Sequence, residues 1–157
     1  MIVYRKATLE DLETIWNRSI AENPEDPRYL RWKKEFIYRN QCNQAATFVV
    51  IVDNVPVGEV TLEYHQKGNR AILADGREFA YVQALRIRKA YEGKGLVSKL
   101  MQCMESYARN LGFCHLCIGV EAAETRNLGI YLHWGYNEFV MHEVEDDVLI
   151  LFYKKKL

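Results

Sequence analysis

Two glycines and a lysine, Gly93-Lys94-Gly95, stand directly before an apolar pattern of helical period. At the start of a helix several backbone N–H groups have no acceptor within the helix, and they lie at the positive end of its dipole. Glycine has no Cβ, so a ligand can approach that backbone closely. From residue 86 to residue 99 there is one acid, Glu92, against five basic residues: Arg86, Arg88, Lys89, Lys94 and Lys99. The pattern predicts a bound phosphate or pyrophosphate.

Two known nucleotide-binding motifs do not fit this stretch. G-x-x-x-x-G-K-[ST] requires Lys and then Ser or Thr after its last glycine, but Lys94 is followed by Gly95. G-x-G-x-x-G requires a third glycine where this chain has Ser98, and it follows the first strand of a Rossmann unit. Taken alone, the turn is also compatible with a surface loop that contains incidental glycines.

The composition excludes several broad classes. The chain has 157 residues, which suits a single domain over 1–157, and its 21 basic residues balance its 21 acidic ones. No global basic field favours nucleic acid. The N-terminus lacks a signal-peptide pattern and no stretch has the length of a membrane span, so we expect a cytoplasmic protein without a membrane partner. The pair Cys114 and Cys117 has no second Cys/His pair at finger spacing, so we expect no metal.

Hydrophobic periodicity predicts the element order β-α-α-β-β-β-α-β-α-β-β. The first helix opens at Thr8 and Asp11, a capping-box-like pair, and a hairpin turn falls near Asp53-Asn54. A polar loop covers roughly 66–77, and the helix with the clearest amphipathic pattern ends at Gly112. The interleaved helices and the two hairpins predict a mixed α/β fold, with a mostly antiparallel sheet flanked by helices.

The strand, turn and helix over 85–101 resemble the acyl-CoA signature of the GNAT N-acetyltransferases, Q/R-x-x-G-x-G/A. Glu92 takes the Q/R place, Gly95 matches the middle glycine, and Val97 stands where glycine or alanine is usual. The resemblance implies acetyl-CoA as co-substrate, with pyrophosphate on the turn and pantetheine on the strand. The residues implied to bind it are Leu85, Ile87, Gly93, Lys94, Gly95, Leu96, Val97 and Ser98. The charge of Glu92 opposes a phosphate unless it points away, and Val97 narrows the groove.

A second stretch, "NLGIYLHWGY" over 127–136, resembles a later helix of the same family. Its Tyr131 precedes the glycine-aromatic pair Gly135-Tyr136 by the family's spacing. The place of a frequent asparagine is Glu124, and Asn127, one helical turn before Tyr131, is expected to contact the co-substrate instead. The resemblance implies that Tyr131 also contacts the co-substrate and protonates the leaving thiolate. The alternative for Tyr131 is a core aromatic on an amphipathic helix.

The general base is predicted from position and residue type. In the branch that acetylates ribosomal proteins a glutamate stands twelve residues before the tyrosine, and here that place is Gly119. Glu121 lies two residues on, on the same face of a continuing strand, where partial burial would raise its pKa. Glu59, Glu63 and Glu78 are alternatives, each expected to be a solvated strand residue.

The first two helices, their connecting loop and the 66–77 loop are expected to recognise the acceptor. The stretch "AENPEDPRYLRW" carries acids and aromatics that suit a cationic amine, namely Glu22, Glu25, Asp26, Tyr29 and Trp32. The alternative is a charged loop over a helix whose Trp32 and Phe36 enter the core. The residues 154–156 are expected to form a solvated tail, and the exposed final strand to pair across a homodimer.

The resulting hypothesis is an acetyl-CoA-dependent N-acetyltransferase that acts without metal on a primary amine of a small molecule or peptide. The alternative is a CoA-binding module of the same fold that is catalytically weak or inactive and that senses or regulates. Dependence on a protein substrate's surface is a third interpretation. The acyl group is expected to be acetyl, and a longer one is also compatible with the sequence.

Overall fold

The structure is a computed structural model that describes all 157 residues. Its helices are α1 (Leu9–Glu22), α2 (Arg28–Gln41), α3 (Leu96–Asn110) and α4 (Thr125–His133). Its strands are β1 (Ile2–Lys6), β2 (Ala45–Val52), β3 (Val55–Glu63), β4 (Phe79–Ile87), β5 (His115–Glu121), β6 (Glu138–Glu145) and β7 (Val148–Lys156). The strands are hydrogen-bonded in the order β1-β2-β3-β4-β5-β7-β6. The predicted mixed α/β fold with a mostly antiparallel sheet is confirmed.

Local sequence signals fix the element ends. At α1 the Thr8 hydroxyl accepts from the backbone N–H of Asp11 at 3.2 Å, and the Asp11 carboxylate accepts from the N–H of Thr8 at 2.8 Å. This reciprocal capping box satisfies two N–H groups that the helix leaves unpaired. Between β2 and β3, Asp53 and Asn54 have φ values of 49° and 68°. Two positive φ values in a two-residue connection make a tight hairpin, which these residue types favour.

The chain divides into two compact units, and the first comprises 1–62 and 84–104. In this unit β1 and β2 are antiparallel, with Ile2 opposite Val52. Ile15 of α1 packs on Val49 and Ile51 of β2 in a buried cluster. At the end of β4 the backbone N–H of Arg88 donates to the carbonyl of Val57 at 2.8 Å. The first unit therefore carries the whole glycine turn and the first two turns of α3.

The second unit comprises 63–83 and 105–157. Its part of β4 runs parallel to β5 from Phe79 opposite His115 to Val82 opposite Ile118. Strand β7 is antiparallel to both β5 and β6. A buried cluster on this sheet contains Leu73, Ala74, Tyr81, Cys117 and Phe152. The second unit therefore carries β5 and α4, on which the second family motif lies.

Two expectations about the chain's end are wrong. Strand β7 lies between β5 and β6, so the final strand is not an edge and does not offer the expected dimer contact. Lys154 and Lys155 belong to β7 and form ion pairs with Glu138 at 3.3 Å and Glu105 at 2.8 Å, so they are not a solvated tail. Backbone pairing with β5, which places residues 154–156 opposite Cys117, Leu116 and His115, is what holds them in a strand. No helix combines the length and apolar character needed to span a membrane.

Candidate active site

Strand β4 changes conformation at Ala84, whose φ is 54°. The left-handed region is uncommon for a residue with a Cβ and costs on the order of 1–3 kcal/mol, so the surrounding packing must hold it there. The half-buried residues Leu85 and Ile87 follow, and they are the ones predicted to hold pantetheine. Strand β4 thus carries a backbone distortion at Ala84 and continues to Ile87.

The turn after β4 leaves backbone N–H groups free at the start of α3. Gly93 and Gly95 have φ values of 73° and 76°, and no atom outside their immediate neighbours lies within 4 Å of a Cβ built on either one. The first hydrogen bond of the helix runs from the N–H of Lys99 to the carbonyl of Gly95. Residues 96–98 therefore have N–H groups without an acceptor in the helix, and open space lies over both glycines.

The charges around this turn differ from the predicted set by one residue. Arg88, Lys89, Lys94 and Lys99 are exposed. Arg86 is half-buried and its Nε lies 2.7 Å from Oε1 of Glu59, so it is not part of the phosphate-facing set. Adjacent strand residues point to opposite faces of a sheet, so Arg86 points away from the face of Leu85 and Ile87. Counting the basic residues of 86–99 did not take this alternation into account.

The two departures from the family signature sit at the rim of the turn. Glu92 is exposed and forms no ion pair, so its carboxylate is free to point into solvent. Val97 is half-buried in the first turn of α3. Lys94 places its Nζ 5.5 Å from the ring centroid of Tyr91, which holds a positive charge beside the turn.

In the second unit Tyr131 is half-buried on α4, with its ring centroid 6.0 Å from that of Trp134. Burial raises the pKa of Tyr131, and the nearby carboxylate of Glu124 raises it further. The phenol therefore keeps its proton at neutral pH. Tyr136, by contrast, is fully buried and donates its hydroxyl to the Glu105 carboxylate at 2.9 Å, a structural contact. Of the two tyrosines, Tyr131 is the one with a free hydroxyl.

Asn127 is exposed, and its side-chain amide donates to Oε2 of Glu124 at 2.9 Å. The pairing orients the amide toward the start of α4, where Glu124 occupies the helix N-cap position without a side-chain cap. A co-substrate contact from Asn127 would therefore compete with this internal hydrogen bond.

The environment predicted for Glu121 is wrong, because this residue is exposed at the end of β5 rather than partly buried. Two residues earlier, Gly119 has no room for a side chain. A Cβ built there would lie 2.8 Å from Cε1 of Phe152 and 3.1 Å from the hydroxyl of Tyr81. The ring of Phe152 and the phenol of Tyr81 thus fill the place where the related branch carries its glutamate.

The expectation that the alternative glutamates are solvated is wrong for two of them. Glu59 and Glu63 on β3 are 7% and 3% exposed, whereas Glu78 is exposed before β4. Burial raises the pKa of Glu59, and Arg86 opposes the rise. Strand β3 lies inside the sheet, between β2 and β4, and is buried from residue 56 to residue 63, so its two glutamates are enclosed with it.

The helical region predicted to recognise the acceptor splits between core and surface. Phe36 enters the core, 5.0 Å from the ring of Trp16. Trp32 stays half-exposed, with Tyr29 at 5.0 Å and the guanidinium of Arg28 at 5.2 Å from its ring. Glu22 and Glu25 are exposed, and Asp26 pairs with Arg28 at 2.8 Å. The loop between α1 and α2 carries an open surface pocket of about 520 Å³, which is lined by residues 23–28.

Several solved structures share this fold. A ribosomal-protein-alanine N-acetyltransferase from Brucella melitensis is 15% identical, with a TM-score of 0.75 over 99% of both chains. The PaiA N-acetyltransferase from Thermoplasma acidophilum, in complex with coenzyme A, is 20% identical, with a TM-score of 0.66 over 100% of this chain and 99% of that one. A GNAT family acetyltransferase from Elizabethkingia anophelis with acetyl-CoA bound is 15% identical, with a TM-score of 0.63 over 99% of this chain and 98% of that one.

No curated protein sequence matches the chain. The model of the acetyltransferase (GNAT) family matches residues 9–136. This stretch includes strand β4, the glycine turn and the helix that carries Tyr131. The chain belongs to the acetyltransferase (GNAT) family.

Proposed function

We propose that the chain is an N-acetyltransferase that moves an acetyl group from acetyl-CoA directly to a primary amine of a small molecule or peptide. The glycine turn carries this proposal. It combines two positive-φ glycines, open space above both, and helix N–H groups without an acceptor. A pyrophosphate suits such a turn because its oxygens accept from N–H groups at the positive end of a helix dipole.

The turn and the strand before it would contact different parts of acetyl-CoA. The N–H groups of Gly93, Gly95 and residues 96–98 would face the pyrophosphate, and Lys94 would add charge. Leu85 and Ile87 offer the strand backbone that holds the pantetheine arm and fixes the thioester carbonyl. The membership of the family and the CoA or acetyl-CoA in related structures support acetyl-CoA as the co-substrate.

The reaction needs a neutral amine, a stabilised oxyanion and a proton for the leaving thiolate. The amine nitrogen attacks the thioester carbon and forms the N–C bond, and a backbone N–H after Ala84 donates to the oxyanion. The C–S bond then breaks, and the thiolate takes the phenolic proton of Tyr131. The surplus proton of the amine leaves through water to Glu121, which is exposed to solvent. A proton passed back through water then restores the phenol of Tyr131, so the cycle closes without a net proton change.

The alternative, a CoA-binding module without catalysis, has one observation in its favour. The place of the related branch's glutamate is filled by Phe152 and Tyr81, so this chain carries no carboxylate at position 119. An exposed Glu121 supplies weaker base catalysis than a buried carboxylate with a raised pKa. The two functions differ in whether bound acetyl-CoA releases its thiol.

The test is thiol release from acetyl-CoA across a panel of primary amines and peptides. Native protein should release CoA with at least one amine, and Tyr131→Phe should reduce kcat while acetyl-CoA still binds. The double variant Lys94→Glu, Gly95→Asp should lose acetyl-CoA binding. Native protein that binds acetyl-CoA but releases no thiol with any acceptor would contradict the enzyme and support the module.

A further inference from the structure

A buried acid, a tyrosine and a lysine meet in the second unit, and no step of the proposed reaction uses them. Glu105 of α3 is 7% exposed, and its Oε2 accepts from the hydroxyl of Tyr136 at 2.9 Å. The same oxygen lies 2.8 Å from Nζ of Lys155 on β7. Burial raises the pKa of Tyr136, and the Glu105 carboxylate raises it further, so the phenol stays a hydrogen-bond donor. Glu105, Tyr136 and Lys155 together are named the Glu105 anchor.

Lys155 also packs against the chain directly after α4. A Cβ built on Gly135 would lie 3.4 Å from Cε and 3.5 Å from Cδ of Lys155, so the stem of the lysine covers this glycine. The Nζ of Lys155 lies 5.6 Å from the ring centroid of Tyr136. The lysine thus contacts both residues that follow the C-cap of α4, while its charge is paired with that of Glu105.

The end of α4 is a Schellman motif. Trp134 is the C-cap residue, and Gly135 follows it in the left-handed region with a φ of 99°. The N–H of Gly135 donates to the carbonyl of Leu132 at 3.1 Å. The N–H of Tyr136 donates to the carbonyl of Tyr131 at 3.0 Å. These are the two hydrogen bonds that define the motif, so the backbone of Tyr131 is bonded directly to a member of the anchor.

The side chain of Tyr131 depends on the same helix end. Its ring centroid lies 6.0 Å from that of Trp134, the C-cap residue. The helix has nine residues, none of them buried, and its N-cap makes no side-chain hydrogen bond. An isolated helix of this length is marginal in water, so the contacts at its fixed end determine where its side chains lie.

We propose that the Glu105 anchor is a positioning group for acetyl transfer, which holds the end of α4 so that the Tyr131 hydroxyl meets the leaving thiolate. This inference rests on the proposed function, in which Tyr131 gives the proton. Misplacement of a reacting group by about 1 Å costs on the order of 10²-fold in rate, so loss of the anchor should lower kcat by roughly 10- to 100-fold. The acetyl-CoA Kd should stay unchanged, because the pyrophosphate is assigned to the glycine turn.

The experiment is a double-mutant cycle on kcat for thiol release. Lys155→Met leaves the Glu105 carboxylate without its cation, Tyr136→Phe removes only a hydroxyl, and Lys155→Arg preserves the charge. The first two variants should lower kcat, and Lys155→Arg should retain most of it. On a Tyr131→Phe background, Lys155→Met and Tyr136→Phe should each change kcat by less than about twofold, because the hydroxyl that they position is already absent. A general loss of structure would lower kcat in both backgrounds.

Lys154→Met is the matched control. Lys154 is the preceding residue on β7, and it pairs with Glu138 at 3.3 Å. Adjacent strand residues point to opposite faces, so this variant also removes a lysine and an ion pair but leaves the anchor in place. It should leave kcat unchanged. Amide hydrogen exchange adds a readout that needs no activity, because the N–H of Tyr136 should exchange faster in Lys155→Met than in native protein or in Lys154→Met.

The contrary results separate the two levels of the argument. Equal losses of kcat from Lys155→Met in the native and Tyr131→Phe backgrounds would show that the anchor does not act through Tyr131, and acetyl transfer would stand. Unchanged kcat and unchanged exchange at Tyr136 in Lys155→Met would show that the anchor does not hold the helix end. Native protein that binds acetyl-CoA but releases no thiol with any amine would refute the proposed function and this inference together. If Lys155→Met does not fold, the same comparison with Tyr136→Phe decides.

Discussion

Substitution of Gly95 by alanine isolates the backbone's part in binding acetyl-CoA. Gly95 has a φ of 76°, and a Cβ placed there meets nothing within 4 Å. An alanine in the left-handed region costs about 1–2 kcal/mol, so the variant loses some stability without a clash. With acetyl-CoA present, the new methyl group occupies the space that a pyrophosphate oxygen needs to reach the N–H groups. The loss of one charged hydrogen bond, about 1.5–3 kcal/mol, weakens Kd by roughly 10- to 100-fold.

Gly112 provides the matched control. It follows α3 with a φ of 98°, and it also has nothing within 4 Å of a Cβ. Gly112→Ala should therefore cost similar stability in urea unfolding while leaving the acetyl-CoA Kd unchanged in calorimetric titration. Equal Kd values for Gly95→Ala, Gly112→Ala and native protein would refute the assignment of the pyrophosphate to this turn.

Three further predictions concern the second unit. Tyr131→Phe should lower kcat by about 10²- to 10⁴-fold with an unchanged acetyl-CoA Kd. Because the pKa of Tyr131 is raised, native kcat should not fall on the alkaline side until the phenol ionises above about pH 10. Equal kcat values in the native protein and the variant would show that the Tyr131 hydroxyl is not the proton donor. Tyr136→Phe should lower the free energy of unfolding by about 1–3 kcal/mol in urea titration, because the buried Glu105 carboxylate would lose its 2.9 Å hydrogen bond. An unchanged value would show that the ion pair with Lys155 is enough to satisfy Glu105. Gly119→Ala should lower the same quantity by about 1–3 kcal/mol because its Cβ meets Phe152 at 2.8 Å, unlike Gly129→Ala, which has open space.

Much of the fold could be predicted because its signals are local. The capping box at Thr8, the Asp53-Asn54 turn and the helix end at Gly112 each act within a few residues, and each appears where predicted. The final lysines could not be assigned by charge alone, because three consecutive lysines resemble a solvated end. Their ion pairs with Glu138 and Glu105 come from residues distant along the chain.

The candidate site was predictable in its backbone and not in its side-chain environments. The glycine turn is a contiguous pattern, so its geometry follows from residues 93–98 themselves. The burial of Glu59 depends on which strands flank β3, and the exposure of Glu121 depends on where β5 ends. The filling of position 119 by Phe152 and Tyr81 depends on the pairing of three strands. Such contacts arise from tertiary packing, which periodicity does not encode.

The most direct measurement of the central claim is a titration of ¹⁵N-labelled protein with acetyl-CoA, followed by the amide resonances of the assigned backbone. The account predicts the largest shifts at the N–H groups of Gly93, Gly95 and residues 96–98, with saturation at one equivalent. Saturable shifts confined to other parts of the chain, with these amides unchanged, would contradict it.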